Sequence, residues 1–222
     1  MTGHRFHYEH AERLLDLKRK EWIDPQRVIS VLSVKPDDTV VDFGSGNGYF
    51  TIPLAQATNG KVYAVDVQPE MIQLLKKRAQ QFAITNIEYQ VADVASTALP
   101  SHSVDKGIMA FVFHEVERKE AALDEIRRVM KPNGQFLLIE WEAMESEMGP
   151  PLHERIPSDE LFSYVKQKAG NVEWVHFHPA VYGLLIRSVD SLGITNGWGK
   201  SFLLLLYHIG YIMIVHMANG GG

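Results

Sequence analysis

The sequence predicts an α/β fold: a doubly wound, mainly parallel sheet with helices on both faces. Three observations carry that expectation. Short apolar, β-branched runs alternate with stretches whose apolar residues recur at helical spacing, the pattern of repeated βα units. The first run ends in Asp42-Phe43-Gly44-Ser45-Gly46-Asn47-Gly48, an acid followed by glycines at every second position. Two later runs also end in an acid, at Asp66 and Asp93. Acids at successive strand ends gather on the carboxyl edge of the sheet, where open α/β folds bind ligands.

The elements follow in order. Residues 8–22 read as one helix, with Ala11, Leu14, Leu15 and Trp22 on or near one face. Asp24-Pro25 reads as an N-cap followed by proline at the first helical position, opening a helix whose apolar side is Val28, Ile29 and Leu32. Pro36-Asp37-Asp38 is a turn, and the first strand begins at Thr39. A helix follows the glycines to about Ala57, closed by Asn59-Gly60. The second strand is 61–66. Pro69 then starts a helix with Met71, Leu74, Leu75, Arg78 and Phe82 at helical spacing. The third strand covers 87–92 and the fourth 104–112. Ala122, Ile126, Val129 and Met130 mark a helix, and Pro132-Asn133-Gly134 turns into the fifth strand, 135–141. Residues 143–157 are long for a connection. A helix over 158–169, capped by Ser158, and two strands over 172–176 and 180–187, joined at His178-Pro179, complete the pattern.

Composition narrows the function. Lys plus Arg number 22 against 27 Asp plus Glu, a net charge of −5, which argues against a nucleic-acid partner because that needs a basic face. The absence of cysteine removes disulfides, thiolate metal sites and cysteine nucleophiles. Residues 1–20 are polar and charged with no apolar core of a signal peptide, so the cytoplasm is the expected compartment. His4, His7 and His10, and the pair His176 and His178, invite a metal reading, but a chain terminus and a turn explain them as well, and no metal is expected.

The glycine loop does not fit a dinucleotide fingerprint. G-x-G-x-x-G/A would put a small residue where Tyr49 stands, and the third glycine comes one position early, at Gly48. The pattern D-x-G-x-G-x-G resembles the nucleotide loop of class I S-adenosylmethionine (SAM)-dependent methyltransferases. Residues 104–116, Val-Asp-Lys-Gly-Ile-Met-Ala-Phe-Val-Phe-His-Glu-Val, resemble that family's fourth strand and exit loop. Residues 123–134 are similar to the L-x-E-x-x-R-V-L-K-P-G-G segment of its ubiquinone/menaquinone-biosynthesis-type branch, with Asn133 where a glycine is usual. The match runs over roughly 25–187. It implies a Rossmann-like, seven-stranded sheet with an antiparallel last strand, and N-terminal helices over 1–35 covering the cofactor side. It also implies SAM as cofactor, with S-adenosylhomocysteine as its product. By that resemblance Asp42, Gly44, Ser45, Gly46, Asn47 and Gly48 hold the methionyl end. Asp66 and Val67 hold the ribose and adenine edge, Ala92, Asp93 and Val94 close on the adenine, and Ala110 and Phe111 lie beside the methionyl group.

The implied reaction is methyl transfer to a small-molecule acceptor. An acceptor that must lose a proton needs a base, and His114-Glu115 sits just past the fourth strand, although His114 also reads as a packing or capping residue. Glu140 and Trp141 end the fifth strand on the acceptor side, where Trp141 reads equally as a wall for an apolar or aromatic molecule and as core packing. The Asn/Asp-Pro-Pro-Tyr/Phe loop of amino-methylating enzymes is missing. The alternative is a SAM-binding regulatory or scaffold protein without turnover.

The expected domain ends at residue 188, and 189–222 fall outside the family pattern. Nothing after Lys200 is charged, and 201–217 are apolar enough for a helix that lies against the domain, a partner chain or a membrane. An extension foreign to the natural chain is the other reading of that tail.

Overall fold

The computed structural model describes residues 8–187. Seven strands form one sheet: β1 (Val40–Phe43), β2 (Val62–Asp66), β3 (Ile87–Val91), β4 (Val104–Ala110), β5 (Met130–Trp141), β6 (Val172–His178) and β7 (Val181–Arg187). Their order is β3-β2-β1-β4-β5-β7-β6. Every pair from β3 to β5 is parallel, whereas β7 runs antiparallel to both β5 and β6. This is the Rossmann-like sheet with an antiparallel last strand.

Among the described residues six α-helices cover it: α1 (Leu17–Trp22), α2 (Pro25–Leu32), α3 (Thr51–Ala57), α4 (Pro69–Gln81), α5 (Lys119–Val129) and α6 (Ser158–Ala169). One core layer packs Val28 and Leu32 of α2, Ile52 and Leu54 of α3 and Leu75 and Ala79 of α4 on Val40, Val62, Ala64, Ile108 and Leu137 of the sheet. The other packs Ala122, Ile126 and Val129 of α5 and Leu161 and Val165 of α6 on Val41, Phe43, Met109, Phe136 and Leu138. Both faces are therefore dry, and all four residues of β1 are buried, as parallel strands require. After β1 the chain builds β2 and β3 on one side, then crosses back to lay β4 on the other. The β1/β4 boundary is thus the switch point of the fold, and the crevice beyond its carboxyl ends is the natural ligand site.

Several expected boundaries shift. The single helix over 8–22 is a 3-10 helix, Tyr8–Leu15, followed by α1. The break is at Asp16, whose extended backbone (φ −55°, ψ 131°) and carboxylate, accepting from Lys18 N at 2.9 Å, cap a new helix. In α4 the buried side is Met71, Ile72, Leu75 and Ala79, and Phe82 falls past the helix end, 51% exposed. Met130 opens β5 instead of ending α5. The Pro132-Asn133-Gly134 turn is an irregularity within that strand: Val104 pairs with Met130 but Lys106 with Gln135, and Asn133 takes the left-handed φ of +62° that its side chain tolerates. β4 ends at Ala110, short of 112, because Phe111 also turns left-handed, at φ +61°. Ser158 is the first residue of α6 and not its cap; its N–H is satisfied by Glu142 Oε1 at 3.2 Å. β6 continues to His178, two residues beyond the expected end.

Among the described residues no helix is long and apolar enough to cross a membrane. The expectations for 189–222, for the helix over 201–217 and for His4 and His7 lie outside the described residues.

Candidate active site

The glycine loop crosses the carboxyl end of β1. Gly44 N and Ser45 N both donate to Val65 O of β2, at 2.8 and 3.0 Å, and Gly46 N donates to Asp66 Oδ2 at 2.8 Å. Asp66 Oδ1 accepts from Gln68 N at 2.9 Å, so this acid both ends β2 and pins the loop. Gly44 and Gly48 adopt φ of +78° and +89°, where a side chain is strained. A Cβ at Gly44 would collide with Val112 Cγ2, and one at Gly48 with Leu75 Cδ1. The loop therefore lies flush on the end of β4 and on α4. Thr51, the first residue of α3, donates its hydroxyl to Asp42 Oδ2 at 2.6 Å.

Asp42 is 2% exposed inside an otherwise apolar strand. Burial pushes its carboxyl up to about 7; the Thr51 hydroxyl and the Arg19 charge oppose this, and Asp66 reinforces it. Folding thus makes this acid hold its proton more tightly than the unfolded chain does, where it titrates near about 4. Its contribution to stability is then unfavourable, beginning above about pH 4 and complete above about pH 7. Asp42→Asn is expected to make the cofactor-free protein more stable at pH 8, by roughly 1–4 kcal/mol, with little change below pH 4. Urea unfolding at both pH values checks it, and a less stable variant at pH 8 would mean that the carboxylate is ionised and satisfied where it stands.

The N-terminal segment closes over this loop. Asn47 Nδ2 donates to Ala11 O of the 3-10 helix at 2.6 Å, and Tyr49 OH to Ile23 O at 2.9 Å. Arg78 of α4 donates to Asn47 O at 2.6 Å. Arg19 of α1 places its guanidinium 4.6 Å from the Tyr49 ring centre and 5.1 Å from that of Phe111. Burial draws its pKa down to about 10. Sequence reading missed Arg19, because Leu-Lys-Arg-Lys-Glu-Trp has the composition of a solvated helix.

The second half of the site follows β4. His114 lies in a short 3-10 helix, Phe113–Glu115, and its Nδ1 is 2.9 Å from Glu140 Oε2. Glu140 is fully buried and also accepts from the backbone N–H groups of His114, at 3.1 Å, and Trp141, at 3.3 Å. His114 Nε2 lies 3.7 Å from Glu115 Oε1. Burial alone would lower the His114 pKa, but the charge and hydrogen bond of Glu140, with smaller contributions from Glu115 and Glu154, raise it above the ordinary histidine value. A carboxylate accepting at Nδ1 fixes the tautomer and leaves Nε2 as the proton acceptor.

An aromatic cluster stands at the same carboxyl edge on the other face of the sheet, because Trp141 packs in the layer of Leu137 and Ile139 whereas Glu140 pairs with Tyr182 of the opposite layer. Phe111 stacks on Trp141 with centroids 4.4 Å apart, Trp22 meets Trp141 edge-on at 6.0 Å, and Trp22 stacks on His178 at 4.1 Å. The connection 143–157 folds around Arg155, which donates to the carbonyls of Met144, Met148 and Pro150 at 2.6, 2.9 and 2.9 Å and lies over Trp141.

The remaining expected residues separate. Ala110, at the end of β4, is buried. Val67 is 40% exposed beside Asp66. Ala92 N donates to Asp66 O at 3.0 Å, whereas Val94 turns into the core. Asp93 caps its own turn through Ala95 N at 2.8 Å and pairs with Arg118 at 2.8 Å. His178 Nδ1 accepts from Ala180 N at 3.2 Å.

An acid–glycine loop at the switch point of a sheet ordered in this way, closed by N-terminal helices, defines the class I SAM-dependent methyltransferases. Comparison with known proteins agrees. A methyltransferase-domain family model matches residues 41–138. The crystal structure of a SAM-dependent methyltransferase from Aquifex aeolicus superposes with a TM-score of 0.78 at 31% identity, over 83% of this chain and all of that one. The chain belongs to this family, whose cofactor is SAM. Among curated relatives, the ubiquinone/menaquinone biosynthesis C-methyltransferase of Acidiphilium cryptum is 29% identical over 57% of this chain and 51% of its own length. An uncharacterised methyltransferase-like protein of Schizosaccharomyces pombe is 29% identical over 75% of this chain and 59% of its own. The chain thus spans little more than half the length of these curated relatives. A [4+2]-cyclase shares the fold at a TM-score of 0.66 and 14% identity, over 74% of this chain and 79% of its own.

The residues present fit the cofactor. Of the four buried side-chain polar atoms without a hydrogen bond among the described residues, three, Arg19 Nε, Ser45 Oγ and Asn47 Oδ1, lie in the glycine loop or its N-terminal cover. Such atoms are rare unless a ligand completes them.

Proposed function

We propose that this chain methylates a small molecule with an apolar or aromatic ring, and that His114, held by Glu140, removes the acceptor proton. The observation that carries this reading is the buried Glu140–His114 pair beyond β4, with Phe111, Trp141 and Trp22 supplying aromatic surface from the other face of the sheet. The resemblance to quinone-biosynthesis C-methyltransferases supports a ring acceptor.

In this reading Asp42, Gly44, Ser45, Gly46, Asn47 and Gly48 hold the methionyl end of the cofactor, with Ala110 and Phe111 beside it. Asp66 and Val67 hold the ribose edge, and Ala92, Asp93 and Val94 the adenine. The bound cofactor supplies a methyl already activated by its sulfonium, so the protein contributes position and proton handling. His114 Nε2 would take the proton from the acceptor as the electron pair so freed forms the bond to the methyl carbon, while the methyl–sulfur bond would break and leave its pair on sulfur, giving S-adenosylhomocysteine. Glu140 holds the other ring nitrogen and stabilises the imidazolium, and Glu115 adds a second negative charge beside it. Phe111 and Trp141 orient the acceptor ring and exclude water.

Calorimetry with SAM and S-adenosylhomocysteine, followed by labelled-methyl transfer into a metabolite extract, tests the proposal. Binding with a labelled ring product is expected. Binding with persistent absence of any labelled product would favour a SAM-binding regulatory or scaffold protein. Binding of NAD alone would remove the cofactor assignment. We assign cofactor binding to residues 1–188, with the apolar run 201–217 serving membrane or self-association, because the last strand of the sheet ends at Arg187. The same titration on a chain ending at Ser188 should give unchanged affinity, and an unfolded truncate would move the boundary into the tail.

A further inference from the structure

Arg19 takes no part in the proposed proton transfer, yet its environment is unlike that of its neighbours. Lys18, Lys20 and Glu21 on α1 are exposed, whereas Arg19 is only 9% exposed. A guanidinium taken out of water needs an anion or a full set of acceptors. Among the described residues Arg19 has one long hydrogen bond, from Nη1 to Leu14 O at 3.4 Å, and its Nε is buried with none. No carboxylate pairs with it there; Asp42 acts on it only through its field.

The surroundings are built to keep it. Tyr49, Phe50 and Phe111 present their rings to the guanidinium at 4.6, 5.9 and 5.1 Å, which fixes a planar cation without consuming its donors. Two of those aromatics belong to the segment that links the glycine loop to α3, and the third follows β4, so the cation stands at the switch point itself. Ser45 Oγ, also buried without a partner, lies in the same loop. A fork of N–H donors held flat suits one ligand group above others, a carboxylate bound through both oxygens. Asp42, near enough for its charge to be felt at Arg19, suits an ammonium. The two together match the zwitterionic end of an α-amino acid.

We propose that Arg19, delivered by the N-terminal helices, recognises the α-carboxylate of the cofactor and selects nucleosides that carry an intact amino-acid tail. The assignment rests on the cofactor reading above, but it makes a separate claim. The N-terminal cover is part of the binding site, and the carboxylate is read by a side chain, because the N–H groups of Gly44, Ser45, Gly46 and Gly48 already donate within the protein.

The test is a calorimetric comparison of SAM with decarboxylated SAM, which keeps the sulfonium, the adenosine and the ammonium. Wild-type protein is expected to prefer SAM. Arg19→Gln should weaken SAM by about 10- to 100-fold, the range of a charge-assisted hydrogen bond, and leave decarboxylated SAM within about twofold. Arg19→Lys, which keeps the charge and loses the fork, should fall between and remains informative if the glutamine variant does not fold. Equal losses for both ligands would make Arg19 a structural residue and overturn the proposal, as would no loss for either. Wild-type protein that bound both ligands equally would overturn it with the cofactor reading intact, and wild-type protein that bound neither would sink both.

Discussion

Replacing His114 by alanine is expected to lower turnover by ~10²- to 10⁴-fold while leaving SAM affinity nearly unchanged, the range for loss of a positioned general base. The direction follows from where the side chain is held. Its Nδ1 is committed to Glu140, so Nε2 is its only atom left for proton transfer, and the proposed cofactor contacts do not include His114. The pH dependence supplies a sharper test. The base works in its neutral form, and Glu140 raises its pKa, so kcat/KM should rise with pH on a limb above the ordinary histidine value. Glu140→Gln removes the charge and keeps a side chain of the same size. It should move that limb to lower pH while lowering the maximum rate. A His114→Ala enzyme with wild-type turnover would return His114 to a packing role, and an unmoved limb in Glu140→Gln would separate Glu140 from the proton transfer.

Gly44→Ala is expected to cost about 2–5 kcal/mol of stability and to weaken SAM binding. Two effects add. The backbone at φ +78° penalises any Cβ by roughly 1–2 kcal/mol, and the new methyl meets Val112 Cγ2 in a packed contact worth about 1–3 kcal/mol of strain. Relief of the clash would push the loop away from β4, and Ser45 and Asn47, whose unpartnered side-chain atoms are the proposed cofactor contacts, would move with it. Gly44→Ala with Val112→Ala separates the two effects. The double variant should regain the packing part of the stability but not the conformational part. Urea unfolding and a calorimetric titration read both quantities. Wild-type stability in the single variant would mean that the loop has more freedom than its hydrogen bonds to Val65 and Asp66 imply.

How much of this was legible in the chain depended on distance along it. The strand runs ending at Asp42 and Asp66 and the D-x-G-x-G-x-G turn were readable because their signals are local: β-branched runs, left-handed glycines and an acid at a strand end. Most element boundaries came out within a few residues for the same reason. The break at Asp16 was missed because a short aspartate-capped restart looks, by periodicity, like one continuous helix. The bulge after Met130 was missed because it is a property of the β4–β5 register and not of either strand alone. The buried side of α4 was partly misjudged because spacing alone does not show that Phe82 lies beyond the last turn.

The sequence by itself determined the fold class, the carboxyl edge that gathers Asp42, Asp66 and the glycine loop, and the placing of His114 just past the fourth strand. Each of these follows from side-chain period and backbone sterics over a few residues. Only the tertiary structure decided that Glu140 grips His114, 26 residues away in sequence, because that contact exists only when β4 and β5 pair with Ala110 opposite Ile139. It also decided that Arg19 is buried while Lys18 and Lys20 stay in water. Four charged residues in one short helix carry no local sign of which will be desolvated. That depends on which side of α1 meets Tyr49 and Phe111, and the meeting is fixed by the packing of the N-terminal segment over a loop more than 25 residues further along the chain.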